Sequence, residues 1–221
     1  MSRTSIARYR PARQFAASAA LAKAVSIAGG YLLGSLPSAD VVSAIAGVGI
    51  RTSGTGNPGT LNAAVVAGKR WGSVVAGLDI GKGWLAAAIG ARISPATANA
   101  AGVAAVVGHI FPIWSGGRGG KGVATSFGVV LGTFPAYAIP DLAIAAAAAK
   151  ATASPVRANQ IASTAWTGAA VLWWWRAWPN LWGPKPTLAL PLGALSTSVL
   201  LAWRMNQPDS ITDGDRWGAS Q

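Results

Sequence analysis

Residues 108–125 read GHIFPIWSGGRGGKGVAT and lie between two long apolar segments. The glycines in this stretch allow backbone N–H groups to converge on an anion, and Arg118 and Lys121 add positive charge. A helix that we expect to begin near Val123 would point the positive end of its dipole at the same place. The stretch therefore predicts a phosphate-binding loop at the edge of a membrane.

The composition around this loop is typical of a membrane protein. Hydrophobic residues make up 52% of the chain and charged residues 11%, without a single glutamate, whereas soluble domains carry about 25% charged residues. A soluble protein with buried helices is disfavoured, because too few charges remain to cover a water-facing surface. Uncharged stretches near the roughly 20 residues that span a bilayer cover residues 93–117, 122–140, 158–175 and 186–203. We predict an all-α, polytopic integral membrane helix bundle with about six or seven transmembrane helices.

The net charge of +12 would suggest a nucleic-acid partner in a soluble protein. Here the basic residues are scattered between apolar runs, so we expect them to face anionic lipid headgroups and phosphorylated substrates instead, with no nucleic acid bound. The chain has no cysteine, which excludes disulfides. One histidine and six aspartates do not form a ligand cluster, so no metal site and no cofactor are expected.

The predicted organisation is a basic polar tail over residues 1–20, a transmembrane domain over 21–205 and a polar tail over 206–221. Pro37 is expected to break the first apolar stretch. The basic N-terminus favours the cytoplasm, but a single crossing before Arg51 would then place the next loop outside. These signals conflict unless the first stretch dips into the membrane and returns. Further helices are predicted over residues 60–68, 71–91, 95–112, 123–150, 160–178 and 187–204.

A second glycine-rich loop, RTSGTGNPGTLN at residues 51–62, offers hydrogen-bonding side chains from Thr55, Asn57 and Asn62. Two such loops at one membrane face could clamp a phosphorylated small molecule from two sides. The loop around Lys121 is not an ATP-binding Walker loop, because Gly122 follows Lys121 where a serine or threonine is required.

Two further polar positions lie within apolar segments. Asp79 and Lys82 are three residues apart on one helix face, where they could form a structural ion pair or take part in catalysis. His109, the single histidine, could relay a proton or serve as a structural hydrogen-bonding residue. The sequence leaves both alternatives open for each position.

Four blocks carry a family resemblance: GSLP at residues 34–37, the loop at 51–62, DIGKG at 79–83, and residues 108–125. In this order and spacing, over about residues 30–140, the chain resembles the bacterial integral-membrane acyl-phosphate:glycerol-3-phosphate acyltransferases, the PlsY family. The resemblance implies transfer of a fatty acyl group from acyl phosphate to the sn-1 hydroxyl of glycerol 3-phosphate, giving lysophosphatidic acid for phospholipid synthesis. It also implies the bacterial inner membrane, motifs on the cytoplasmic face, and no metal or nucleotide.

The resemblance and the loop chemistry together suggest two groups of site residues. Acyl phosphate is already activated, so charge stabilisation and proximity matter more than a strong base, and no general base is assigned. The predicted catalytic residues are Thr55, Lys121, Arg118 and His109. The predicted substrate- and phosphate-binding residues are Arg51, Asn57, Asn62, Lys82, Gly117, Gly119, Gly120, Gly122 and Thr125.

The chain departs from the family pattern at three places. Thr55 occupies a position where the family usually has serine, and Val65 one where it usually has arginine. Residues 203–206, WRMN, are a faint echo of the family's third motif. These departures leave open an alternative, a non-catalytic or altered-substrate membrane paralogue that binds or carries a phosphorylated metabolite.

Overall fold

The computed structural model describes residues 9–208, which form an all-α bundle. Within this range the secondary structure consists of α-helices and two short 3-10 turns, with no strand, so the predicted fold class is confirmed. The helices are α1 Tyr9–Ser35, α2 Ser38–Ala46, α3 Thr60–Val66, α4 Lys69–Ala91, α5 Pro95–Ile110, α6 Val123–Thr133, α7 Ala138–Thr152, α8 Pro155–Arg176 and α9 Ala189–Met205.

Three segments are long and apolar enough to cross a membrane: Phe15–Ala46, Lys69–Ala91 and Pro95–Ser115. A fourth candidate is the bent pair of Val123–Thr133 with Pro135–Thr152. The predicted count of six or seven spans is therefore not confirmed within the described residues. Large apolar side chains cover the outside of the bundle, as lipid contact requires, and Ile139 is 81% exposed.

The break predicted at Pro37 is present. Helix α1 ends at Ser35, and α2 begins at Ser38 with Pro37 as its N-cap residue. The Lys82 Nζ donates a hydrogen bond to the Leu36 carbonyl oxygen at 3.2 Å. This bond provides a partner for a backbone carbonyl at the end of α1, where helical partners run out.

The long helix predicted over residues 123–150 is instead two helices, α6 and α7, which meet at an angle of 117°. Proline lacks a backbone N–H and forces the residue before it out of helical geometry. Phe134, directly before Pro135, accordingly has φ −141° and ψ 54°. The link predicted over 151–159 is also shorter than expected, because α8 begins at Pro155 behind the N-cap residue Ser154.

Small residues allow the central helices to approach closely, as is common in membrane bundles. Gly30 and Gly34 of α1 lie against the backbone of Ala101 and Ala105 of α5, so these two helices run parallel. Gly128 of α6 contacts the backbone of α4 in the same way. A side chain at any of these glycines would separate the helices.

These contacts place several helix ends on one side of the bundle. Helices α1, α5 and α9 end there, whereas α4 and α6 begin there. We call this side the loop face, because it carries the two glycine-rich loops, residues 47–59 and 111–122. The N-terminal end of α1 lies on the other side of the bundle from the loop face.

This arrangement bears on the path of the N-terminal stretch. The first apolar stretch does not dip and return before Arg51, because α1 runs once through the bundle and α2 follows at the loop face. The start of α1 and the loop face therefore lie on opposite sides. The tail boundary predicted at residue 20 falls inside α1, while residues 1–8 and 209–221 of the two predicted tails lie outside the described residues.

Candidate active site

The two glycine-rich loops lie side by side on the loop face. The Arg51 guanidinium, from the first loop, donates a hydrogen bond to the Arg118 carbonyl oxygen of the second loop at 2.6 Å. A β-carbon on Gly120 would lie 3.2 Å from the Pro58 carbonyl oxygen, so the loop backbones are also in close proximity. The predicted pairing of the two loops at one end of the bundle is therefore present.

An open groove of about 690 Å³ lies between the loops and the end of α9. Three arginines line it, and no acidic side chain or histidine is among its lining residues, so the groove favours anions. Apolar side chains form the other part of its wall, including the Phe111 and Trp203 rings, whose centroids are 5.5 Å apart. The lining residues are Arg51, Gly56, Asn57, Pro58, Ile110, Phe111, Ser115, Gly117, Arg118, Gly119, Trp203, Arg204, Gln207 and Pro208.

Arg204 is a groove residue that the sequence analysis did not assign to the site. It lies in the last turn of α9 and donates a hydrogen bond from its guanidinium to the Gly119 carbonyl oxygen at 3.2 Å. This contact brings the C-terminal end of α9 to the glycine loop, although 85 residues separate the two positions. The sequence signal for Arg204 was the weak match of residues 203–206, WRMN, to the family's third motif. No local sequence pattern connects this segment to the glycine loop.

Arg51 is held in one orientation by an ion pair with Asp40 of α2. Its Nε lies 2.6 Å from one Asp40 carboxylate oxygen, and a terminal guanidinium nitrogen lies 2.8 Å from the other. Both side chains are about one-third exposed. The pair therefore sits at the rim of the groove, in contact with solvent.

The backbone of the second loop does not present its N–H groups as the sequence analysis predicted. The N–H groups of Gly117 and Arg118 donate to the Pro112 and Ser115 carbonyl oxygens at 2.9 and 3.2 Å. Those of Gly119 and Gly120 donate to the carbonyl oxygens of residues 110 and 109 at 3.1 and 3.2 Å. These four donors are therefore engaged within the protein, and the three arginines are the positively charged groups among the groove lining residues.

The first loop is organised by Asn62, which is 4% exposed. Its side-chain amide donates to the Ile50 and Ser53 carbonyl oxygens at 2.8 and 3.1 Å and accepts from the Thr55 N–H at 2.9 Å. Asn62 therefore shapes the loop and does not reach the groove. The Thr55 hydroxyl accepts from the Asn57 N–H at 3.3 Å, and of these three residues only Asn57 lines the groove.

A buried cluster lies beneath the second loop. The Lys82 Nζ is 2.8 Å from a carboxylate oxygen of Asp79, and the His109 Nδ1 is 3.5 Å from the same oxygen. All three residues are more than nine-tenths buried. A small cavity of about 20 Å³ is lined by this cluster together with Gly119, Gly120 and the Asp40–Arg51 pair.

The burial of the cluster favours the structural alternative for these positions. Lys82 and His109 do not line the groove, so direct contact with a substrate there is not supported. The His109 ring instead lies directly under Gly120, where a β-carbon on that glycine would collide with Nε2. The geometry is that of a structural cluster on which the loop rests.

Four other predicted residues lie away from the groove lining: Gly120, which lies above the His109 ring, Thr125, Gly122 and Lys121. Thr125 is fully buried in α6, so its predicted substrate contact is not supported. Gly122 is the N-cap residue of α6 with φ +85°, where glycine is favoured, and it packs against Leu201 and Val106. Lys121 is half-buried beside it. Among residues 9–208, moreover, no group of three histidine or acidic side chains is placed to hold a metal ion.

The family model described as "Glycerol-3-phosphate acyltransferase" matches residues 24–210. The chain belongs to the glycerol-3-phosphate acyltransferase family.

Curated relatives with that name include a protein from Pseudomonas paraeruginosa, which is 35% identical over 84% of this chain and 94% of its own length. The Myxococcus xanthus protein is 44% identical over 53% of this chain. A Sinorhizobium fredii protein is 43% identical over 57% of this chain. The matched stretch spans only 61% and 63% of the length of these last two relatives.

A solved structure shares the fold. The crystal structure of PlsY, an integral membrane glycerol 3-phosphate acyltransferase, in its glycerol 3-phosphate form superposes with a TM-score of 0.70. The two chains are 28% identical, over 82% of this chain and 87% of that one. The lysophosphatidic acid form of PlsY gives the same TM-score at 27% identity. The predicted resemblance is thereby confirmed, and this member of the family is an integral membrane protein.

Proposed function

We propose that this protein transfers a fatty acyl group from acyl phosphate to the sn-1 hydroxyl of glycerol 3-phosphate, producing lysophosphatidic acid for phospholipid synthesis. The family membership and the glycerol 3-phosphate and lysophosphatidic acid forms of the related PlsY structure support this activity. The groove on the loop face is the proposed site of the reaction.

The observation that carries the proposal is the lining of this groove. Arg51, Arg118 and Arg204 converge from the first loop, the second loop and α9. Guanidinium groups bind phosphate through paired, charge-assisted hydrogen bonds. Both substrates are phosphorylated, and the neighbouring Phe111 and Trp203 rings offer an apolar path for an acyl chain. A groove with these two kinds of wall suits a substrate with an anionic head and an apolar tail.

The chemistry needs little more than charge stabilisation and alignment. The glycerol hydroxyl oxygen forms a bond to the acyl carbon, while the bond from that carbon to the phosphate oxygen breaks and the phosphate leaves with the electron pair. The groove lining contains no histidine or carboxylate, so the leaving phosphate is the base that takes the hydroxyl proton. The arginines stabilise the negative charge that develops on the phosphate and on the carbonyl oxygen, and holding both substrates together supplies proximity.

The proposal places the loop face on the cytoplasmic side of a bacterial inner membrane. Glycerol 3-phosphate is a charged, water-soluble metabolite, and its binding groove has to open toward the compartment that contains it. Basic residues lie at both sides of the bundle, at the loop face and, with Arg10 and Arg13, at the start of α1, so the orientation rests on the substrate and not on charge. The basic residues at the loop face include Arg51, Lys69, Arg70, Arg118, Lys121 and Arg204.

The test is product formation by the purified full chain in detergent or lipid. Acyl phosphate and labelled glycerol 3-phosphate should yield labelled lysophosphatidic acid. Arg118→Gln or Arg204→Gln should each raise the KM for glycerol 3-phosphate by about tenfold, the effect of losing one charged hydrogen bond. Arg176→Gln, a matched change at the end of α8 far from the groove, should leave the KM unchanged.

The same assay separates the alternative function. Val65, at the position where the family pattern has arginine, is 78% exposed and does not line the groove. Binding of glycerol 3-phosphate without any turnover would instead indicate a membrane protein that binds or carries a phosphorylated metabolite.

A further inference from the structure

Asp40 is an acidic side chain beside a groove that is otherwise lined by cations. The acidic residues within 9–208 are Asp40, Asp79 and Asp141. Asp79 is buried with Lys82, and Asp141 lies in the first turn of α7, at the far end from the loop face. Asp40 alone of these three contacts an arginine of the groove. This placement calls for an explanation, because a carboxylate at this point opposes the binding of an anion.

The Arg51 guanidinium is held on two sides, by the Asp40 carboxylate and by the Arg118 carbonyl oxygen. The carboxylate engages Nε and one terminal nitrogen at 2.6 and 2.8 Å, in the parallel arrangement that arginine and carboxylate favour. The other terminal nitrogen donates to the Arg118 carbonyl oxygen at 2.6 Å. A guanidinium has five N–H donors, so two donors remain once these three contacts are made.

The exposure of the pair argues against a role in stability alone. Asp40 and Arg51 are 34% and 32% exposed, and ion pairs in contact with water contribute little to folding. An arginine without such a pair loses side-chain freedom when it binds a ligand, which weakens binding. A pre-oriented arginine avoids that loss.

We infer that Asp40 is a positioning residue for phosphate binding: it holds the Arg51 guanidinium in place at the groove and, through Arg51, holds the two loops together. This inference rests on the proposed function, since it assigns glycerol 3-phosphate as the ligand of Arg51. Asp40 does not touch the substrate, and it acts through Arg51.

A double-mutant cycle tests the inference with the purified full chain. The dissociation constant of glycerol 3-phosphate is measured calorimetrically for the wild type, Asp40→Asn, Arg51→Gln and the double variant. We expect Asp40→Asn to weaken binding by about 3- to 10-fold. In the Arg51→Gln background, the Asp40→Asn change should have no further effect. Asp141→Asn is the matched control and should bind like the wild type.

Three results would overturn the inference. Tighter binding by Asp40→Asn would mean that the carboxylate competes with the phosphate, and unchanged binding would mean that Arg51 needs no partner. A weakening of equal size in the Arg51→Gln background would mean that Asp40 acts elsewhere. Thermal unfolding midpoints of all variants should agree with the wild type, so that a folding defect is not read as a binding defect.

The outcome is separable from that of the proposed function. If the wild type binds glycerol 3-phosphate but forms no lysophosphatidic acid, the proposed acyl transfer fails, and the binding cycle still decides the role of Asp40. If the wild type does not bind glycerol 3-phosphate at all, both the proposed acyl transfer and the proposed role of Asp40 are wrong.

Discussion

At the scale of single residues, the site divides into an open groove that substrates can enter and a buried cluster beneath the second loop. Arg51, Arg118 and Arg204 line the groove, whereas His109 and its partners lie beneath the loop. Residue type alone did not distinguish these two groups, because a histidine and a lysine near a glycine-rich loop have the chemistry of catalytic residues whether or not they are buried.

The position of His109 leads to a prediction about the variant His109→Gln. A general base contributes roughly 10²- to 10⁴-fold to the rate, but a buried structural residue contributes mainly to folding. We therefore expect kcat to fall by less than about tenfold, with an unaltered pH profile and a lower unfolding midpoint. A loss of a thousandfold in kcat with normal stability would show that His109 performs the chemistry.

Gly120 gives a second prediction at this scale. A β-carbon there would collide with the His109 ring, so Gly120→Ala should displace the second loop from the groove. The KM for glycerol 3-phosphate should rise, with a smaller change in kcat. The matched control is Gly77→Ala in α4, where nothing lies within 4 Å of an added β-carbon. An unchanged KM in Gly120→Ala would contradict the close packing of loop and cluster.

At the scale of elements, helix positions follow from local sequence signals more reliably than helix ends do. The break at Pro37 and the helices α4, α5 and α9 match their predicted ranges to within about two residues. The predicted helix over 123–150 was wrong, because two prolines within an apolar run are compatible with either a kink or a sharp turn. Tertiary contacts fix the turn: Phe134 is fully buried, and the Asn180 side-chain amide donates to the Thr133 carbonyl oxygen at 2.9 Å.

Glycine packing between α1 and α5 can be tested directly. A β-carbon on Gly34 would overlap the backbone of Ala105, whereas one on Gly29 would meet nothing within 4 Å. Gly34→Ala should therefore lower the thermal unfolding midpoint in detergent. Gly29→Ala should leave it unchanged or raise it slightly, because alanine favours helix. Equal midpoints for both variants would mean that the two helices do not pack as closely as the structure has them.

At the scale of the whole molecule, the sequence predicted a membrane-embedded helical protein of this family, since these properties depend on composition and on motif order, and the fold and the family are confirmed. It did not establish which loop atoms face the groove, because the N–H groups of residues 117–120 are bonded within the loop. It also left Arg204 unassigned, since the hydrogen bond between Arg204 and Gly119 depends on how α9 folds back across the bundle.

The orientation in the membrane is testable because the natural chain contains no cysteine. Lys69→Cys, at the loop-face end of α4, should be protected from a membrane-impermeant maleimide in intact spheroplasts and labelled in inverted vesicles. Arg92→Cys, at the other end of the same helix, should show the reverse pattern. Labelling of Lys69→Cys from outside would place the groove on the wrong side for a cytoplasmic substrate.

The central claim is that the arginine-lined groove holds the phosphate of glycerol 3-phosphate. The most direct measurement is an experimental structure of the full chain with glycerol 3-phosphate bound. We predict phosphate oxygens within about 3 Å of guanidinium nitrogens of both Arg118 and Arg204. A phosphate bound elsewhere on the molecule, with the groove arginines making no contact to it, would contradict the account.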